Sequence, residues 1–126
     1  MSGDIRLKTG RLEVGGKTYV LRCNMNVLAD VQEEYGGSLT AALNSNRHLK
    51  RALSFAAAML NDWAEEQGWE ERWTAKTLGR ALPTDAPGIW ADQIMDLVFA
   101  ALQPPEEADA GEDPEKKELT SRQTTA

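Results

Sequence analysis

Apolar positions change their period several times along this chain, and each change marks an element. Over residues 17–23 (KTYVLRC) Tyr19 and Leu21 alternate with Thr18, Val20 and Arg22. A period of two is the mark of a strand with one buried face. Residues 11–14 (RLEV) precede it across Gly15 and Gly16, a pair that can take the positive φ angles of a tight turn. The two runs therefore predict a β-hairpin. A lone hairpin is marginal in water, so it must lie against the helices C-terminal to it.

From Asn24 the period becomes helical. Asn24 or Asn26 can cap a helix by accepting from an unpaired first-turn amide, and Met25, Leu28, Val31 and Tyr35 form its expected buried stripe. Gly36 and Gly37 supply a left-handed stop, after which Ser38 caps a short helix with Leu39 and Leu43 one turn apart. Residues 46–67 predict the longest helix, charged at both ends around an apolar centre, ALSFAAAML. Leu49, Leu53, Ala56, Leu60 and Trp63 are assigned to the core, which leaves Phe55, Ala58, Met59 and Asp62 pointing elsewhere. Such a helix is either central to the fold or meets a partner, and the central position is preferred.

Gly68 ends that helix, and Thr74 can cap a short one with Leu78, Ala81 and Leu82 inward, stopped by Pro83. Pro87 suits the first turn of a last helix over residues 87–102, with Trp90, Ile94, Leu97, Val98 and Ala101 as its stripe. From Gln103 onward there are three Pro, one Leu, no aromatic residue, and seven acidic residues against three basic. That segment has too little apolar surface to offset the entropy of ordering. The expected fold is α+β and mostly α: a small N-terminal hairpin packed on a bundle of four to five helices, residues 1–102, then a disordered acidic tail, residues 103–126.

Composition narrows the function. The chain has 126 residues and a formal charge of −6, with no Lys/Arg stripe of the kind that releases counterions from nucleic acid. No apolar run is long enough to span a bilayer, and the first residues lack the basic and apolar regions of a signal peptide. Neither a nucleic acid nor a membrane is an expected partner. Cys23 is the single cysteine, so no disulfide framework or Cys-based zinc site can form, and a reducing compartment is expected.

His48 is the single histidine, which excludes Ser-His-Asp, Cys-His and multi-histidine constellations by count. Beside Arg47 and Lys50 it reads as a solvated surface residue. Asp62, Glu65, Glu66, Glu70 and Glu71 surround a helix end without the DxDxDG loop of a calcium site, and neither glycine pair belongs to a phosphate loop. An enzyme with a catalytic centre, metal or cofactor is not expected. The chain holds four Trp, and Trp63, Trp69 and Trp73 cluster across one helix break. Such a cluster is either a satellite core that staples two helices or a contact patch for a partner.

The segment GGKTYVLRCNMNVLADVQEEYGGSLTAAL, followed by a mostly apolar helix, WTAKTLGRAL and a terminal helix, resembles the tail assembly chaperones of long-tailed, non-contractile bacteriophages and prophages. The family's N-terminal signature falls here on Gly16, Lys17, Tyr19, Leu21, Arg22, Met25, Asn26, Leu28, Glu34, Tyr35, Gly36, Ser38 and Leu39. A second, looser pattern falls on residues 73–82, with Lys76 where an acidic residue is common. The resemblance implies a non-enzymatic protein of the host cytoplasm, not retained in the mature virion. Its partners would be the helical tape measure protein, the tail tube protein and other copies of itself.

The resemblance also implies two products from one gene, a short form and a frameshifted longer one. Lys116 and Lys117 are residues whose codons suit a slippery run. A client that exposes apolar stripes needs an apolar, aromatic groove, and Phe55, Met59, Trp63, Trp69 and Trp73 are the residues expected to supply it. Two other readings use the same domain: a small virion component such as a head-tail connector or tail part, and a bacterial cytoplasmic adaptor.

Overall fold

The computed structural model describes residues 9–103. Strands β1 (Thr9–Val14) and β2 (Lys17–Arg22) precede α1 (Met25–Glu34), α2 (Leu39–Leu43), α3 (His48–Gln67), α4 (Ala75–Ala81) and α5 (Pro87–Leu102). This is the expected α+β order of one antiparallel hairpin and five helices. The expected disorder beyond Gln103 lies outside the described residues.

The hairpin closes as its glycines dictate. Val14 pairs with Lys17 across Gly15 and Gly16, which take φ of 64° and 79°. Two successive positive φ angles define the turn that matches the right-handed twist of the strands. Leu12, Val14, Tyr19 and Leu21 then share the inward face, with Tyr19 and Leu21 fully buried. β1 begins two residues earlier than its apolar pattern, since Thr9 and Gly10 also pair, with Arg22 and Leu21.

Local chemistry sets most helix ends. Asn24, not Asn26, caps α1: its side chain accepts from the Val27 amide at 3.0 Å. Ser38 accepts from Ala41 to start α2, and Thr74 and Thr77 form a reciprocal capping box on α4. Gly68 ends α3 in the left-handed region, where its missing Cβ removes the steric cost. α5 starts differently: Ala86 takes φ 53° and ψ 51° without a capping side chain, and Pro87 follows in the first turn.

α3 is the axis of the fold, and α1, α4, α5 and β2 all pack on it. Every residue from Ala52 to Leu60 except Leu53, which is half-buried, is removed from solvent. Phe55, Met59 and Leu60 supply bulk, while Ala52, Ala56, Ala57 and Ala58 let neighbouring elements approach closely. The central position of this helix is therefore the observed one. Its facing is corrected: Phe55, Ala58 and Met59 do not point away from the monomer but fill its core, because elements cover the helix on several sides.

Three further stripes shift in phase. In α1 Val27 and Val31 are buried, whereas Met25, expected in the stripe, is 79% exposed, because the stripe is centred on Val27 and Val31. In α4 the buried residues are Ala75 and Leu78, with Leu82 half-buried and Ala81 exposed. In α5 Ala91 and Met95 join Ile94, Leu97 and Val98 in the core, while Trp90 and Ala101 are half-buried.

Two substitutions probe this packing. Phe55→Ala is expected to cost about 3–5 kcal/mol of unfolding free energy, the range for deleting a buried aromatic side chain. Ala86→Gly is expected to add about 0.5–1 kcal/mol, since relief of the left-handed strain exceeds the extra chain entropy of glycine. Denaturant unfolding of both variants checks the pair, and a neutral Phe55→Ala would remove Phe55 from the core.

Candidate functional site

Trp63, Trp69 and Trp73 come together around the hairpin and not around an open groove. Trp69 stands edge-on to Tyr19 with ring centroids 5.4 Å apart, and Trp73 does the same at 6.5 Å. Lys17 lies over the Trp69 ring at 4.7 Å and Arg22 over the Trp63 ring at 5.4 Å, both within cation–π range. All three indoles are half-buried and packed against the core.

Polar groups tie the same region together. Trp73 Nε1 donates to the Tyr19 hydroxyl at 3.1 Å, and that hydroxyl donates to Glu71 Oε2 at 2.9 Å. Lys17 Nζ donates to the same carboxylate oxygen at 2.7 Å. Asn61 on α3 holds the backbone of Trp73 from both sides, accepting from its amide at 2.6 Å and donating to its carbonyl at 2.8 Å. A side-chain amide used in this way replaces the partner that an irregular segment otherwise lacks. The stretch between α3 and α4 is thereby fixed to both the central helix and the hairpin.

Asp62 does similar work at the other end of β2. It accepts from Asn24 at 2.8 Å and from Asn26 at 3.5 Å, while Arg22 pairs with Glu66. Asn24 thus caps α1 with its oxygen and joins α1 to α3 with its nitrogen. On α3 Ser54 is buried, and its hydroxyl donates to Glu34 at 3.0 Å.

Several residues weighed for chemistry have structural partners, among them His48, Asp62, Glu66 and Glu71. Burial pushes the Cys23 thiol up to about 11, so little of it is thiolate near neutrality. His48 bridges α3 and α5. Arg51 can only donate, so the contact at 2.9 Å makes His48 Nδ1 an acceptor. The ring proton then sits on Nε2 and is donated to Asp92 at 2.8 Å. Among the described residues no group of three or more His, Cys, Asp or Glu side chains is arranged to hold a metal ion. No helix among them is long and apolar enough to cross a membrane.

Of the five expected groove residues, Phe55 and Met59 are closed to a partner in the monomer at 0% and 1% exposure. Trp63, Trp69 and Trp73 are only half-buried. The open apolar groove lies elsewhere. It has a volume of about 440 Å³ and is bounded by Leu12 of β1, Leu49 and Leu53 of α3, Leu82 after α4, and Pro87 and Trp90 of α5. Loop residues 83–85 also line it, and Gly79 brings the α4 backbone close to Leu53.

These residues come from four elements and stand in the sequence as inward stripe positions or turn formers, so no local pattern marks them as one surface. Leu49, assigned to the core from its place in the α3 stripe, is instead 44% exposed, because it lies in the first turn of the helix. No family model, curated protein or solved structure matches this chain.

A pH effect arises from the tether. The hydrogen bond from Lys17, with those from the backbone and Tyr19, holds the Glu71 carboxyl below its usual range. A depressed pKa contributes stability that is present above the unfolded value, about 4.3, and lost as pH falls through the folded value. Tryptophan emission should therefore shift in acid as the hairpin loosens from Trp69 and Trp73. Glu71→Gln should flatten that transition at constant temperature, and superimposable titrations of the two proteins would exclude Glu71 as its origin.

Proposed function

We propose that this protein is the short form of a phage tail assembly chaperone. It binds the tape measure protein, keeps it soluble and promotes assembly of tail tube subunits around it. The observation that carries this reading is the solvent-open apolar groove beside Trp90, on a chain whose hairpin, capped helix and glycine stop carry the resemblance to that family.

The physical argument concerns the client. A very long helical protein with uncovered apolar stripes associates with itself unless those stripes are shielded. A shield must also leave when the tube forms. A groove of this size covers a few side chains at a time, and modest burial per site keeps each contact reversible. Many copies acting along one client then give protection without a single tight complex. The exposed Ile89, Phe99 and Leu102 on α5 add apolar surface through which copies can meet each other or the tube protein.

Co-expression tests the reading. The tape measure protein encoded beside this chain should move from the insoluble to the soluble fraction when the chain is present, and should be retained with it on affinity capture. The chain should be absent from purified particles. Stoichiometric recovery in those particles would make it a virion component, and an unchanged soluble fraction would remove the chaperone role.

A further inference from the structure

Among the described residues β1 has a neighbour on one side only, since their sheet contains just β1 and β2. The groove is lined by Leu12 and Glu13, neighbours whose side chains point to opposite faces of β1, and so lies on the β1 side of the hairpin. β2 contributes nothing to its lining. The turn fixes which backbone groups face that edge. Val14 and Lys17 flank a two-residue loop as a hydrogen-bonded pair, so the pairs alternate and the amides and carbonyls of Arg11 and Glu13 point away from β2.

The groove carries one sign of charge. Its two charged lining residues, Glu13 and Asp85, are both acidic, and the chain as a whole carries −6. Both residues are exposed, the Glu13 carboxylate also accepting from Thr18 of β2, and no cation is among the lining residues, which include Leu49, Leu53, Leu82 and Trp90.

We propose that this edge groove is a docking site for an extended segment of another protein that alternates apolar with Lys or Arg side chains. The segment adds a strand to β1, with hydrogen bonds to the backbone of Arg11 and Glu13. Alternate apolar side chains enter the groove, and the basic ones meet Glu13 and Asp85. Strand addition draws affinity from main-chain hydrogen bonds and selectivity from the pockets for alternate side chains. An unpaired strand edge is the template such pairing needs. The proposal deepens the chaperone reading and rests on it in one respect: the segment recognised by this groove is an extended, basic stretch of the client outside its helical length.

The test uses the full chain and three labelled nine-residue peptides. The first alternates Lys with Val or Leu, the second contains the same residues with the apolar ones in one block, and the third has Glu in place of Lys. Fluorescence anisotropy should show the alternating basic peptide binding at least tenfold more tightly than the other two, with NMR amide shifts centred on Arg11 and Glu13. Glu13→Lys combined with Asp85→Lys, both at exposed positions, should lower that affinity at least tenfold and favour the acidic peptide. Leu49→Asp, at another exposed position, should weaken all binding while far-UV circular dichroism stays native.

Equal affinity for the three peptides, or shifts centred on Trp69 and Trp73, would overturn the proposal. So would a groove already occupied by a second copy or by the chain's own residues 104–126, seen as intermolecular or tail-to-groove NMR contacts without peptide. If the tape measure protein is captured equally well by the Glu13→Lys/Asp85→Lys chain, the groove proposal falls and the chaperone reading stands. If the peptide binds as described but no tape measure protein is captured, the chaperone reading falls and the groove remains.

Discussion

Burial of α3 on several sides is the constraint on which the rest of the fold depends. A helix covered by α1, α4, α5 and β2 together must be narrow where neighbours cross it and bulky where they leave gaps. The sequence meets this with alanines around Phe55, Met59 and Leu60. Each neighbouring element needs α3 in turn. The hairpin cannot persist alone, α2 and α4 are only five and seven residues long, and isolated helices of that length do not form in water. Removal of the central helix would leave pieces without intrinsic stability.

The second layer of organisation is polar and lies at the ends of the core. Asn61, Asp62 and Ser54, all on α3, reach out to the Trp73 backbone, to Asn24 and to Glu34. Apolar packing fixes how closely elements approach but is tolerant of sliding along an axis. Directional hydrogen bonds from three positions on one helix remove that freedom. The Tyr19–Trp69–Trp73 group belongs to this layer, since it joins the hairpin to the segment that Asn61 holds.

Features set by neighbours in sequence are legible without the structure: the glycine turn, the caps at Asn24, Ser38 and Thr74, the left-handed stop at Gly68 and the Pro87 start. Each depends on a few adjacent residues and a backbone requirement. The orientation of α3 is not legible, because nearly every residue between Ala52 and Leu60 is apolar or small, and a helix without a polar face carries no phase. The assignment of Phe55 and Met59 to a partner surface fails for that reason. The edge groove is equally hidden, since Leu12, Leu49, Leu82 and Trp90 meet only after the chain has folded. The tryptophan cluster is visible as a cluster, but its role as a staple requires the position of Tyr19.

The alanines of α3 also bear on how this protein can change over generations. Glycine at such a position costs about 1 kcal/mol in helix propensity, and a larger side chain in a filled core costs about 1–3 kcal/mol. Drift at Ala52, Ala56, Ala57 and Ala58 is therefore opposed in both directions of size. Divergence is least opposed on the solvent faces of the outer helices and at exposed groove positions such as Glu13 and Asp85, where a change of residue neither opens nor overfills the core.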